Sequence, residues 1–352
     1  MKIYIPFCGI GLGHASRSLE LGRVLKERGH DVLWSTYEPT YSKIKDFPVS
    51  KTGAETCIYQ GRKGIEAFKT ISRTSFELVK TPLFVKQHID LIKKFGPDMV
   101  ISDTYFAGIL AGRISKLPVF FLTNQTNVSS FFPQKQYFAL RASIDMLIKN
   151  FIEASDRILV PDIPLPNAIC RYNIDFFGHR EKFYFTGPIV KQRPSDVKAK
   201  KFDRTTLLVS IGGSGLNPDI RKYLKGMPEV DFIVVNSSLD KKEGNITYKK
   251  YVKDYFSYLK GADALVTHGG HSSLMEALVF GKPVLGFCLK GFAERANNLR
   301  GLKKGGNGTF IRNLKKDLER MDSYAKEARR LQKIALKHDG ARSVANIIEE
   351  NE

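Results

Sequence analysis

The densest group of chemically competent residues is Val266-Thr267-His268-Gly269-Gly270-His271-Ser272-Ser273-Leu274-Met275-Glu276, followed by Gly281-Lys282-Pro283. An apolar run ends at Thr267. Gly269 and Gly270 let backbone approach a ligand, and two hydroxyls then open a helix whose free N–H groups and dipole favour a phosphate. Ser272 and Ser273 can donate hydroxyls to that phosphate, and His268 a ring N–H. Glu276 follows one helical turn deeper on the same face, where a carboxylate can accept both hydroxyls of a ribose. These residues also have a plainer use, with Ser272 as N-cap and Glu276 completing a capping interaction. Histidine, glycines, hydroxyls and carboxylate converging at one strand's carboxyl end favour the nucleotide.

A second group lies at the start of the chain, Gly9-Ile10-Gly11-Leu12-Gly13-His14. It is a weak dinucleotide fingerprint, because His14 occupies the place of the third glycine. In that dehydrogenase-like reading Glu38 would bind a ribose. His14 at the cleft end of the first strand suits a general base, or it makes a local hydrogen bond at a helix start. Asp103 ends the run Val100-Ile101-Ser102-Asp103. It can orient His14, act as the base itself, or cap a helix.

No Asp-x-Asp pair follows an apolar strand and no His and carboxylate set has metal-ligand spacing, so no metal site is expected. Cys8, Cys57, Cys170 and Cys288 are too scattered for a disulfide framework or zinc site. Lys and Arg number 56 against 36 Asp and Glu, a formal charge of +20 that attracts polyanions. No RNA-stacking or helix-turn-helix pattern accompanies the charge, so no specific nucleic acid is expected. Basic residues gather between Gln60 and Lys94, interleaved with Phe68, Phe76, Leu83 and Phe84, and Phe131-Phe132-Pro133 and Tyr137-Phe138 follow. This region reads as a solvated helix face, with some cationic and aromatic surface suited to anionic lipid. His30, His88, His179 and His338 show no partners in sequence.

The elements that must position these groups follow from the hydrophobic pattern in 352 residues, 42% of them hydrophobic. A strand at Lys2–Phe7, a helix ending at Gly29 and a strand at Asp31–Ser35 form a right-handed parallel unit. Strands continue at Met99–Ser102, Val119–Leu122, Ile158–Val160 and Phe183–Thr186. The pattern restarts after a polar linker with a strand at Leu207–Ile211, a helix at Pro218–Lys225, and strands at Phe232–Val235, Ala264–Thr267 and Val284–Phe287. From Leu314 to Glu350 the period is helical. The expectation is α/β, two doubly wound Rossmann-like domains facing across a cleft. Their bounds are an N-terminal domain 1–190, a linker 191–205, a nucleotide domain 206–335, and a C-terminal helix 336–352 packing back on the first domain. No apolar run approaches the roughly 18 residues of a membrane span, and the N-terminus is too short for a signal-peptide core. The expected location is the cytoplasm, with peripheral contact at the inner face of a membrane.

The spacing His268-x-Gly270-x-x-Ser273-x-x-Glu276 with Gly281-x-Pro283 resembles the donor signature of GT-B-fold glycosyltransferases that use UDP-sugars. Those include the MurG-type lipid-linked N-acetylglucosaminyltransferases and the UDP-glucuronosyltransferases. Gly9-x-Gly11-x-Gly13-His14 is similar to the family's N-terminal loop, and Ser210-x-Gly212-Gly213-Ser214 to the loop after the first strand of the second domain. The resemblance implies Glu276 on the ribose, His268, Gly269, Gly270, Ser272 and Ser273 on the diphosphate, and Gly212, Gly213 and Ser214 closing over the phosphates. It also implies Glu294 and Asn298 near the transferred sugar, with Arg295 where relatives carry Gln; an arginine there would favour an acidic sugar. The implied activity is inverting, metal-independent transfer from a UDP-sugar to an acceptor hydroxyl, lipid-linked or anionic, on an envelope glycan. No cofactor is needed, since the nucleotide sugar is substrate and the helix N-terminus neutralises the leaving diphosphate. A hydrolysing sugar-nucleotide epimerase shares the fold but would need carboxylates flanking the anomeric carbon, for which only Glu294 and Asp103 offer themselves. A non-catalytic polyanion binder would leave the glycine loops unexplained.

Overall fold

The computed structural model describes residues 1–55, 60–61, 64–65, 79–128, 137–210, 220, 224, 226–288 and 291–350. In chain order the N-terminal half gives β1 Lys2–Pro6, α1 Leu12–Glu27, β2 Asp31–Thr36, β3 Val49–Lys51, β4 Gln60–Gly61, β5 Gly64–Ile65, α2 Thr81–Phe95, β6 Met99–Asp103, α3 Phe106–Ile114, β7 Val119–Leu122, α4 Phe138–Ala154, β8 Arg157–Val160 and β9 Phe183–Phe185. The C-terminal half gives β10 Thr206–Ser210, β11 Asp231–Val235, β12 Lys241–Glu243, β13 Ile246–Lys249, α5 Tyr255–Gly261, β14 Ala264–Thr267, α6 His271–Val279, β15 Val284–Gly286, α7 Ala293–Gly305, β16 Gly308–Phe310, α8 Met321–Lys337 and α9 Gly340–Glu349.

Two seven-stranded sheets result, in the orders β3-β2-β1-β6-β7-β8-β9 and β12-β13-β11-β10-β14-β15-β16. Every pairing in the first is parallel, and in the second only the β12–β13 edge is antiparallel. Apolar runs suffice to specify such strands because both faces are covered. Along β1, Ile3 and Ile5 enter one core and Tyr4 the opposite one; along β10, Leu207 and Val209 face one core and Leu208 the other. Both strand orders reverse beside a first strand, β1 and β10, and crevices at such switch points are where α/β sheets bind ligands.

Three boundaries differ from the sequence pattern. The basic region from Gln60 does not open as a helix: β4 and β5 pair antiparallel, Gln60 with Ile65 and Gly61 with Gly64. Gly61 and Gly64 face each other in that pairing and are poor helix formers, and the described helix α2 starts at Thr81 with Pro82 in its first turn. The glycine-rich loop is shorter than expected, since α1 starts at Leu12 and takes Gly13 and His14 into its first turn. The charged C-terminal stretch breaks into separate helices, with Asp339 capping α9 by accepting from the Arg342 N–H. The helix at 218–225 and Phe131-Phe132-Pro133 lie largely or wholly outside the described residues. No helix among the described residues is long and apolar enough to cross a membrane.

The chain finishes on the domain where it began. Ala341, Val344, Ala345 and Ile348 of α9 join Leu21, Val24 and Leu25 of α1 in one buried cluster, and Arg28 pairs with Glu349 at 2.7 Å. At the domain boundary Gly301 of α7 packs so closely on the Ile169 carbonyl that a Cβ would lie 1.9 Å from it. Ile348 is 2% exposed, so Ile348→Ala should cost about 2–4 kcal/mol. Denaturant unfolding followed at Trp34 of the N-terminal domain should report that loss, although the substitution lies at the far end of the chain.

Candidate active site

Asp103 ends β6 at the centre of the first sheet and is fully buried. A buried carboxylate needs compensation, and α1 supplies it. His14, Arg17 and Ser18 occur at helical spacing that turns all three toward the end of β6. His14 Nδ1 lies 2.8 Å from Asp103 Oδ1. Arg17 clamps both oxygens, Nη2 on Oδ1 and Nε on Oδ2 at 2.7 Å. Ser18 Oγ donates to Oδ2 at 2.8 Å. Burial pushes the carboxyl up, but Arg17 and His14 pull it further the other way, well below the ordinary carboxylate range. Asp103 is therefore ionised, with donors on both oxygens. His14 keeps 21% of its side chain exposed. Arg17 Nη2 also approaches His14 Nδ1 to 3.0 Å. Arginine can only donate and Asp103 Oδ1 can only accept. Since that oxygen is His14's nearer neighbour, Nδ1 carries the hydrogen, and in the neutral ring the lone pair is then on Nε2. The helix-capping use of Asp103 does not occur: α3 has Tyr105 at its N-cap and no side-chain cap.

The second group assembles at the end of β14. Thr267 and His268 are buried. Gly269 adopts φ +85, a conformation L side chains resist, and a Cβ there would meet the Arg295 carbonyl and Leu299. Gly270 is the N-cap of α6, and no side chain caps that helix. The capping role for Ser272 and Glu276 is thereby replaced. Ser272 Oγ instead reaches the Gly13 carbonyl across the cleft at 3.3 Å, and a Cβ on Gly13 would lie 2.8 Å from that hydroxyl. Ser273 and Glu276 are half-buried on the next turn. Burial raises the Glu276 carboxyl to about 7, against the opposing pull of the Tyr255 hydroxyl. Tyr255, on α5, also contacts Ser210 at the end of β10.

The cleft is thus walled by two helix N-termini. Gly11, at φ +81, caps α1 without a side-chain bond, and neither α1 nor α6 has an acidic residue in its first turn. Two helix N-termini without acidic residues of their own in the first turn thus meet at the Ser272–Gly13 contact, and such ends favour negative charge. Gly212, Gly213 and Ser214 lie outside the described residues. Glu294 and Asn298 share one face of α7, with Asn298 Nδ2 donating to Glu294 Oε1 at 2.9 Å. Asn124, past the end of β7, donates to the same oxygen from the other domain at 3.0 Å. Asn173 binds Asn298 Oδ1 at 2.8 Å. Glu38 is apart from all of this, exposed and engaged by Ser42 and Lys51.

The sequence pattern missed Arg17, Ser18, Asn124, Asn173 and Tyr255. Arg17 and Ser18 had a signal, their helical spacing from His14, and Asn124 had one in its place past a strand's carboxyl end; Tyr255 had none. It also missed Asp162, Cys170 and His271, whose potential ligand atoms all lie within 4.8 Å of one another. There Asp162 Oδ2 accepts from the Cys170 N–H at 2.8 Å and approaches His271 Nε2 at 3.3 Å, tying α6 to the first domain. His88 has partners too, buried with Nδ1 2.5 Å from the Tyr4 hydroxyl.

Nearly the whole chain, residues 1–328, matches the sequence profile of glycosyl transferase family 1. The chain belongs to that family. An uncharacterized glycosyltransferase of Methanosarcina acetivorans is 32% identical over 382 residues, covering 99% of this chain and 98% of that protein. A UDP-N-acetylglucosamine–N-acetylmuramyl-(pentapeptide) pyrophosphoryl-undecaprenol N-acetylglucosamine transferase of Thermosipho melanesiensis is 28% identical over 184 residues, 49% of this chain and 55% of that one. Among solved structures, the spinosyn rhamnosyltransferase SpnG complexed with thymidine diphosphate superposes with a TM-score of 0.70 at 14% identity, over 99% of this chain and all of that one. The protein is a glycosyltransferase of GT-B fold, its two Rossmann-like domains flanking the cleft just described.

Removing one partner of a buried ion pair strands the other. Arg17→Met should lower stability by about 3–5 kcal/mol at neutral pH. Without Arg17 burial raises the folded Asp103 carboxyl, which then protonates at a higher pH than in the wild type, so the deficit should be largest where both are ionised and shrink as pH falls through the variant's titration. Urea unfolding across pH 3–8 measures both.

Proposed function

We propose that this glycosyltransferase is inverting and metal-independent and moves a sugar from a UDP-linked donor to an acceptor hydroxyl. The observation that carries the reading is the opposition of two half-sites. His14 on Asp103 stands on one wall, the uncapped α6 N-terminus with His268, Ser273 and Glu276 on the other, and Ser272 touches Gly13 between them. The leaving diphosphate sits where both helix dipoles point, and Glu276 accepts from the ribose. His268 and the serines donate to phosphate oxygens. With Asp103 ionised and its oxygens taken, His14 is the base. Nε2 takes the acceptor's hydroxyl proton, the acceptor oxygen bonds the anomeric carbon, and the bond to the diphosphate breaks with its electrons leaving on phosphate. A single displacement inverts the anomeric centre. Asp103 steadies the imidazolium formed. The helix ends and side-chain donors take the part a divalent cation has elsewhere, so turnover should survive EDTA; loss restored by magnesium would contradict this.

The relative from Thermosipho supports a uridine donor, since its name specifies UDP-N-acetylglucosamine. Arg295 supports an acidic sugar. Its guanidinium stacks on Phe292 at 4.1 Å, and its Nη1 is buried without a hydrogen-bond partner among the described residues. A sugar carboxylate would provide one. A lipid-linked acceptor fits the apolar side chains exposed on the acceptor domain, Val79, Leu83, Phe138 and Met146, beside Lys80, Lys86 and Lys149. Such a surface suits peripheral contact with anionic lipid.

His14→Ala should slow transfer by about 10²–10⁴-fold, the scale of a lost general base, and leave UDP affinity by calorimetry near wild type. Normal turnover in that variant would remove the base assignment. The second expectation is a pH dependence. Ionised Glu276 accepts from both ribose hydroxyls, and more strongly than the neutral acid does; its carboxyl is raised to about 7, so UDP affinity should rise from pH 6 to pH 8. Glu276→Gln should bind more weakly at pH 8 and lose this slope.

A further inference from the structure

One unbroken hydrogen-bonded path runs from the His14–Asp103 pair of the first domain to Glu294 and Asn298 on α7 of the second. Asp103 binds Arg17 through Nε at 2.7 Å. Arg17 Nη1 donates to Asn124 Oδ1 at 2.7 Å. Asn124 Nδ2 donates to Glu294 Oε1 at 3.0 Å, and Asn298 donates to that same oxygen at 2.9 Å. Asn124 and Arg17 are both buried, 6% and 4% exposed.

The chemistry at each end dictates the middle. A guanidinium has donors only and an ionised carboxylate acceptors only. A side chain between them must accept on one side and donate on the other, and a primary amide does so with the orientation seen here. Aspartate at 124 would keep the bond from Arg17 but set a carboxylate against Glu294. An apolar residue would leave a buried guanidinium nitrogen unsatisfied.

We propose that Asn124 is a positioning residue. It fixes the donor-sugar carboxylate Glu294 relative to the His14–Asp103 base, so that only a closed cleft has both in register. On this path Asn124 makes the crossing, because Arg17 and Asp103 belong to the first domain and Glu294 and Asn298 to the second; Asn173 of the first domain holds the Glu294 carbonyl and Asn298 Oδ1, not the Glu294 carboxylate. Asn124 and Asn298 both take Oε1, which among the described residues leaves the second oxygen of Glu294 for a sugar hydroxyl. The proposal rests on the reading of Glu294 as a sugar contact and His14 as the base.

The test is a double-mutant cycle between Asn124→Asp and Glu294→Gln, read as the maximal transfer rate, with UDP affinity measured on every variant. Asn124→Asp alone should lose about 10- to 100-fold in rate, the scale of a small misplacement at a reacting centre, with UDP affinity unchanged. Glutamine at 294 can donate to the new carboxylate. In the Glu294→Gln background the same Asn124→Asp change should therefore cost less than about threefold, a coupling expected only of groups in contact. Equal losses in both backgrounds, or a wild-type rate for Asn124→Asp, would overturn the proposal. A general loss of folding would lower UDP affinity too and gives no reason for rescue by glutamine. Failure of the underlying reading shows separately, as unchanged rates in the single variants His14→Ala and Glu294→Gln.

Discussion

A carboxylate buried at the end of the central strand of one sheet sets the terms for the rest of this molecule. Asp103 has no water to solvate it, so its charge must be met by the protein. The first helix meets it with a histidine, an arginine and a serine at successive positions of one face. Once Arg17 is committed there, its remaining nitrogen must also find an acceptor, and the nearest lies on the strand-end loop that faces the other domain. Compensating one buried charge thus orients the imidazole, fixes the first turn of α1, and extends order across the cleft to Glu294.

The opposite wall obeys a related constraint. Helices α1 and α6 present their N-termini to each other at the Ser272–Gly13 contact, without side-chain caps and without early acidic residues. In isolation each such end is left unsatisfied. Together they favour negative charge where they meet, the occupant proposed above being the diphosphate, and Gly13 lets the Ser272 side chain come close. The frame holding the walls apart is also nonlocal: α9 returns to pack on α1, and the turn at Ile169 wedges against Gly301 of α7.

Much of this was legible in the chain. Doubly wound sheets announce themselves through short apolar runs, since strands covered on both faces need little alternation, and nearly every central strand lies within a residue or two of its run. Polar and short edge elements gave no such signal: Lys241–Glu243, Ile246–Lys249 and Gly308–Phe310 pair only because a neighbouring strand offers an edge. Within the cleft, the residues from His268 to Glu276 were readable because their relation is local, a strand end followed by one helical turn. The pairing of His14 with Asp103 followed from the convergence of strand ends. Arg17, Asn124 and Tyr255 did not, because their roles arise from what burial demands of charges brought together from distant parts of the chain.

Everything proposed for the cleft depends on which domain holds the nucleotide. A crystal structure with UDP bound would answer this directly. The ribose should lie on Glu276, the diphosphate at the N-terminus of α6 near His268 and Ser273, and His14 should face the space beyond the terminal phosphate. A nucleotide lying instead along Gly9–Gly13 with its ribose toward Glu38 would contradict that arrangement, and would make the first domain the nucleotide-binding one.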